Sequence, residues 1–477
     1  MDILNDIQIA APEALLLAVG LASVLFGAMF KENFNGISRF VGSLALLGAA
    51  ALSFAQKDAA DLVMVAFNDL YAVTPYTSLV KAVAYLTAAI ALIVAGGYLH
   101  REGMNKFEYT ILIVLGTAGM GVMLSANNLM TLYMGIETLS LSSYVLAAFN
   151  RESRRSAEAG LKYFVLGALA SGLLLFGSAL VYGFTGHADF ASIASAEMSV
   201  GLSFGLTMIL IALAFKASAA PFHIWTPDVY EGAPTPVVTY FSTAPKIAAV
   251  CLLSSIMFKV FGVYEQNWSL IIAIISAASM LVGALGGLKQ NNIKRLLAYS
   301  SIANVGFALM AVAAGELYGE APVLTYMTIY VLTTLGVFGV VLAMRRRDGQ
   351  VEQVSDLNGL SQTRPMLAIA MTVLIFSVAG IPPMAGFFGK WVVFEAALNA
   401  ELYWLVAVGV VASVISLGYY LRVIWAMWAK EKADEPLLQA DGAVAMSIYG
   451  ATALALPVLV IYIGWLSNMI SAAAAAG

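Results

Sequence analysis

The chain has 477 residues, 61% of them apolar and only 11% charged, with 24 Lys and Arg against 28 Asp and Glu and a mean hydropathy of +0.87. Soluble domains sit near ~45–50% apolar and ~25% charged, so this composition excludes a soluble enzyme, a secreted disulfide scaffold and a nucleic-acid-binding protein. A net charge of −4 marks no polyanionic partner, and the single cysteine, Cys251, excludes internal disulfides and thiolate iron–sulfur or zinc sites.

Crossing the hydrocarbon of a bilayer takes roughly 20 apolar residues. In chain order the sequence predicts fourteen spans, at about 12–30, 38–55, 76–98, 107–124, 127–149, 158–184, 203–225, 234–262, 270–288, 294–315, 321–344, 365–397, 403–429 and 444–469. The first is expected to be a true span and not a cleaved leader, because the first basic residue, Lys31, follows it. The second is short, and the fourth and fifth are separated only by Ser125-Ala126-Asn127. The long eighth and twelfth spans are expected to tilt or break. The whole of 1–477 reads as one all-α polytopic membrane domain, with a frayed tail from Ala472 to Gly477.

Loop charge sets the orientation. Loops 1–2, 3–4, 5–6, 9–10, 11–12 and 13–14 hold sixteen Lys and Arg, from Lys31 to Lys432, whereas the opposite face holds only Lys57 and Lys259. The basic loops are therefore expected on the cytoplasmic side and both termini on the other. The remaining six basic residues lie within spans.

A charge at the centre of a membrane helix costs about 2.5–3.5 kcal/mol on insertion scales, so each one asks for a function. Glu137 stands mid-way along span five, Lys216 deep in span seven, Lys246 near the middle of span eight and Lys390 mid-way along span twelve. Lys162 is one turn inside span six, where snorkelling explains it as well as function does. Lys81 and Arg422 read as anchors near helix ends. A lysine whose ammonium is disfavoured by burial can load and release a proton beside a switchable carboxylate. One carboxylate and four lysines on separate helices supply the parts of a proton-transfer row. Hydroxyl stripes accompany them: Thr239, Ser242, Thr243 and Lys246 on span eight, Tyr326, Tyr330, Thr333 and Thr334 on span eleven, Ser413, Ser416 and Tyr420 on span thirteen. Such stripes either hold water chains or tie neighbouring helices together.

Two spans carry internal prolines. Pro221 follows Lys216 by five residues, and His223 lies two turns beyond Lys216, on the same face if the helix resumes. A histidine there suits an intermediate proton carrier. Pro382 and Pro383 interrupt span twelve before Lys390. Two interrupted spans five helices apart predict two five-helix repeats, spans 4–8 (107–262) and 9–13 (270–429). An odd helix number makes them inverted, as in transporters. The first three helices (12–98) and the last (444–469) lie outside the repeats.

The residues from Phe222 to Val237, FHIWTPDVYEGAPTPV, together with Ala379-Gly-Ile-Pro-Pro and Gly386-Phe-Phe-Gly-Lys390, resemble the N-subunit family of proton-pumping NADH–quinone oxidoreductase (complex I). That family belongs with the antiporter-like L and M subunits and their relatives in multisubunit Na⁺/H⁺ antiporters, and the resemblance spans essentially the whole chain. It implies a translocase subunit in which Glu137 and Lys216 pair, Lys162 tunes Glu137 or bridges it to a neighbour, His223 and water link Lys216 to central Lys246, and Lys390 is the terminal lysine. Pro221, Pro382, Pro383, Thr243, Tyr330 and Ser416 would be supporting hinge and polar residues. It also implies no redox cofactor on this chain, with FMN, iron–sulfur clusters and quinone in partner subunits. The M, K and J subunits and lipids would be its neighbours in a hetero-oligomer of the bacterial inner membrane, its termini periplasmic. A Na⁺/H⁺ antiporter subunit and a non-pumping structural subunit remain as alternatives.

Overall fold

The computed structural model describes residues 3–59, 63–346, 349–431, 437–439 and 443–475. Runs of apolar residues without turn formers give long helices, because a backbone away from water must satisfy its own hydrogen bonds. The chain begins with α1 (Ile3–Ile9), α2 (Ala11–Phe30), α3 (Asn35–Ala59) and α4 (Pro75–Arg101). There follow α5 (Phe107–Leu124), α6 (Leu129–Ala147), α7 (Arg154–Thr185), the short α8 (Phe190–Ala194), α9 (Val200–Ala217), α10 (Trp225–Gly232), α11 (Thr235–Phe241) and α12 (Ala244–Ser255). Then come α13 (Glu265–Leu288), α14 (Ile293–Ala313), α15 (Glu316–Ala343), α16 (Leu360–Thr363), α17 (Pro365–Ala379), α18 (Ala385–Asn399), α19 (Tyr403–Trp428) and α20 (Ala443–Ala475). Among the described residues, ten helical stretches are long and apolar enough to cross a membrane, one of them running from Ala11 to Lys57, and α17 is a shorter apolar helix.

Three features of the helices bear on the predicted spans. The second span is not short: α3 has 25 residues, extending past the apolar stretch into Gln56 and Lys57. The eighth span breaks rather than tilts. Helix α11 stops at Phe241, Thr243 leaves helical geometry (φ −119°, ψ −91°) and α12 restarts with Pro245 in its first turn, where a missing N–H costs nothing. Of the tail expected to fray, residues 472–475 continue helix α20, and 476–477 lie outside the described residues.

Small residues set the packing. Among the described residues, the α13–α14 and α5–α6 pairs are the most extensively packed. In α5–α6, a Cβ on Gly119 would meet the Leu139 backbone nitrogen at 2.8 Å, and one on Gly135 would strike the backbone of Met123. In α13–α14, a Cβ on Gly283 would strike the backbone of Ala303. Helices α12, α14 and α15 form the deepest core. Two small antiparallel sheets close opposite ends: β1 (Met64–Ala66) on β2 (Tyr71–Val73), in the register Met64–Val73, and β3 (Met344–Arg346) between β4 (Gly349–Gln350) and β5 (Leu438–Gln439).

Candidate functional site

The two broken spans end their first halves by one device. Helix α9 stops where Ser218 takes a left-handed conformation (φ +67°), and α17 stops where Gly380 does the same (φ +82°). In each case the next amide reaches back five residues, Ala219 to the Ala214 carbonyl at 2.9 Å and Ile381 to the Phe376 carbonyl at 3.0 Å. This closure satisfies carbonyls that would otherwise be orphaned. The prolines come later than the breaks, Pro221 and Pro383 each three residues after the left-handed residue. The break is thus made by the left-handed residue, and proline prevents the helix from resuming.

A buried lysine donates to each of these ends. Lys246 on α12 donates to the Ala217 carbonyl at 3.1 Å and to the Ser218 hydroxyl. Lys390 on α18 donates to the Ala379 carbonyl at 2.9 Å and to Ser413 Oγ at 3.3 Å. Both carbonyls belong to the last helical residue, where the helix dipole is negative and favours a cation. Each ammonium also faces a ring, Trp225 at 5.4 Å for Lys246 and Phe307 at 4.6 Å for Lys390. Lys246 is 1% exposed and Lys390 7%. Neither has a carboxylate within ion-pair distance among the described residues. Their charge is therefore held by carbonyls, hydroxyls and ring faces, and losing a proton breaks no salt bridge among the described residues.

Lys216, next to last in α9, donates to Ser140 Oγ at 2.5 Å and lies 3.5 Å from the Tyr144 hydroxyl. Glu137 is one turn before Ser140 on α6 and accepts from the Ser171 hydroxyl of α7. The expected direct Glu137–Lys216 ion pair is absent. Ser140 stands between them, because Lys216 reaches α6 one turn from the carboxylate. An apolar-walled cavity lined by Ser140, Lys216, Tyr163, Met123, Pro245 and Leu252 adjoins the lysine.

Other expected placements differ. His223 lies in the irregular segment between α9 and α10, half-buried, so the same-face argument fails; no hydrogen bond joins it to Lys216 or Lys246, and its Nδ1 is buried without a partner. Lys162 does not touch Glu137. It bonds Asp228 and Glu158, each at 2.8 Å, with its side chain 42% exposed. Thr239, Ser242 and Thr243 turn their hydroxyls back on carbonyls of their own helix, supporting the α11–α12 break rather than facing outward as a stripe. Tyr330 and Ser416 are buried, and the buried hydroxyls of Thr226, Thr325 and Thr328 have no hydrogen-bond partner. Arg422 donates to the Leu288 carbonyl at 2.9 Å, capping α13 as an anchor should.

The sequence reading missed several polar groups. Asn304 accepts from Tyr326 at 2.7 Å, and Ser300 bonds Tyr420 at 2.6 Å, joining α14, α15 and α19. Lys81 is no anchor. It is fully buried and paired with Glu13 at 2.8 Å, while Tyr71 and Tyr85 each donate to Glu13 at 2.6 Å. Lys259 pairs with buried Glu320 at 3.7 Å. Asp228 bonds Arg295 at 2.6 Å as well as Lys162. The missed signal was an acid near one span end facing a base near another, which spacing along one helix cannot reveal.

Residues 126–416 match the family model for the membrane part of NADH:quinone oxidoreductase and Mrp antiporters. NADH-quinone oxidoreductase subunit N of Hirschia baltica is 75% identical over all of both chains, and that of Parvibaculum lavamentivorans 48% identical over 90% of this chain and 89% of its own. A chain in the structure of respiratory complex I from Thermus thermophilus with bound aureothin is 30% identical, covers 96% of this chain and 98% of its own, and superposes with a TM-score of 0.82. A chain of the Mrp complex from Dietzia sp. shares the fold at 22% identity, covering 98% of this chain and 97% of its own, with a TM-score of 0.87. The chain belongs to the subunit N family of NADH-quinone oxidoreductases, within the NADH:quinone oxidoreductase/Mrp antiporter membrane proteins.

Proposed function

We propose that this chain is an antiporter-like, proton-translocating membrane subunit of NADH–quinone oxidoreductase, and that Lys216, Lys246 and Lys390 carry the proton, with Glu137 setting the charge at one end of the row. The observation that carries this reading is the pair of buried lysines seated on the carbonyl ends of two broken helices with no carboxylate to lock them. An ammonium held by dipoles can lose its proton at modest cost, whereas one in a buried ion pair cannot. The buried hydroxyls of Thr226 on α10 and of Thr325 and Thr328 on α15, left without a protein partner, favour water between the lysines, because an unmet hydroxyl costs about 1–3 kcal/mol.

The matching breaks in α9 and α17 and the matching tight pairs α5–α6 and α13–α14 support two repeats, spans 4–8 and 9–13. Dividing Ala11–Lys57 at its turn and adding α6, the α17–α18 pair and α20 to the apolar helices gives fourteen spans, with both termini periplasmic under the loop-charge rule. Redox cofactors belong to partner subunits, and the M, K and J subunits are its neighbours in the bacterial inner membrane. Gentle purification through a tag on this chain tests the assignment. NADH–quinone reductase activity, flavin and iron–sulfur signals are expected to co-purify. Recovery with membrane subunits alone, and Na⁺/H⁺ exchange in vesicles, would replace this reading with an antiporter.

A further inference from the structure

We infer that Asp228 is a positioning residue: clasped by Lys162 and Arg295, it fixes helix α10 and thereby holds Trp225 over Lys246. This rests on the proposed lysine row and gives Lys162 a different task from tuning Glu137.

Helix α10 has only eight residues and lies between two irregular segments, so it needs holding from outside. Its outer end is gripped by charge from two helices. Lys162 of α7 and Arg295 of α14 meet Asp228 at 2.8 and 2.6 Å, Arg295 also meets Glu231 at 3.0 Å, and Lys294 donates to the Ala233 carbonyl at 3.0 Å, just past the helix. Gly232 leaves no room for a Cβ against the Arg155 carbonyl and Ala159 of α7. Its inner end is Trp225, one turn before Asp228. The indole N–H donates to the Phe215 carbonyl at 3.0 Å, the ring stacks on Tyr163 at 4.3 Å, and its face lies 5.4 Å from Lys246. The gripped carboxylate and the ring that faces the central lysine thus share the first turn of one short helix.

Register gives a second reason. Asp228 stands ten residues after Ser218, and Lys390 stands ten residues after Gly380. One arm of this repeated break carries the buried lysine itself, and the other carries a carboxylate that two basic groups grip. Arg155, Glu158, Lys162, Asp228 and Glu231 line a polar cleft of about 210 Å³. Single ion pairs open to solvent contribute little, but charges joined in a network contribute more, and here Lys162 of α7 and Arg295 of α14 form one network with Asp228 and Glu231 of α10.

The test uses membranes containing the assembled complex, measuring NADH-driven proton uptake per unit of this chain, together with amide hydrogen exchange over Trp225–Gly232 in the purified complex. Lys162→Met is expected to lower proton uptake about five-fold, within the coupling range of contacting residues, and Lys162→Arg to stay near the unmutated level. Trp225→Phe, which removes the indole donor, should lower uptake too, and Lys162→Met should add nothing in that background. Exchange at α10 should rise in both Lys162→Met and Asp228→Asn. Independent, multiplicative losses for Lys162→Met and Trp225→Phe would overturn the linkage, and so would unchanged exchange at α10. The exchange arm reports on the linkage even if Lys246→Ala leaves proton uptake intact, a result that would instead remove the lysine row.

Discussion

Lys246 and Lys390 share one environment, a carbonyl helix end, a serine hydroxyl and an aromatic face, and that environment dictates what their substitution does. Arginine keeps the charge but cannot release a proton in a protein. Lys390→Arg is therefore expected to lower protons moved per electron as far as Lys390→Ala does, measured by dye quenching against NADH oxidation. Full stoichiometry in Lys390→Arg would mean that a fixed charge suffices. Glu137 answers to a different rule. It stands one turn before Ser140, which accepts from Lys216, so Glu137→Gln should impair turnover far more than Glu137→Asp, and equal effects would reduce Glu137 to packing. Glu137, Lys216, Lys246 and Lys390 were legible in the sequence because an ionisable residue amid twenty apolar ones has no cheap explanation. Their partners were not legible. Ala217, Ala379 and Ser140 become ligands only when separate helices are brought together. Asp228 and Glu13 escaped notice because a charge near a span end is ordinary.

At the scale of elements, the broken helices were announced by Pro221, Pro382 and Pro383, yet the turns occur two or three residues earlier, at Ser218 and Gly380. A sequence shows where a helix cannot continue more readily than where it stops. Gly380 is held doubly: its φ of +82° is strained for any side chain, and an added Cβ would stand 2.8 Å from Cδ of Lys390. Gly380→Ala is therefore expected to cost about 1–3 kcal/mol from the backbone alone and to displace Lys390, lowering both thermal stability in detergent and proton transfer. Ser218→Gly separates the two contributions. It should relieve the backbone and leave stability near the original, while removing the hydroxyl that Lys246 uses. Thermal unfolding and proton-to-electron ratios measured on both variants check this. His223 shows the limit of periodicity: seven residues from Lys216 means the same face only within one continuous helix, and the Ser218 turn removes that condition.

The molecule as a whole divides its charges between two tasks. Lys216 has hydroxyl neighbours, and Lys246 and Lys390 have hydroxyl and carbonyl neighbours, with no ion-paired carboxylate among the described residues. Lys81, by contrast, is locked: Glu13 accepts from it and from two phenols, and a Cβ on Gly121 of α5 would collide with both Glu13 and Tyr85. This closed cluster ties α2 and α4 to α5, which joins the first three helices to the rest. Breaking a buried pair costs about 3–5 kcal/mol, and replacing both partners costs less. Glu13→Gln should therefore sharply reduce the protein's thermal stability in detergent, and Lys81→Met in the same chain should recover part of it, with protons per electron unchanged in whatever assembles. The all-helical membrane class followed from composition and hydropathy. The tying cluster did not, because its four members come from three separate stretches of chain.

The most direct test of the central claim is the proton-to-electron ratio of the complex reconstituted in vesicles with Lys246→Arg in this chain. The ratio is expected to fall while the complex still assembles, because the charge stays at the end of α9 but its proton can no longer leave. An unchanged ratio at normal turnover would contradict the account and leave Lys246 as a fixed charge that merely caps a helix.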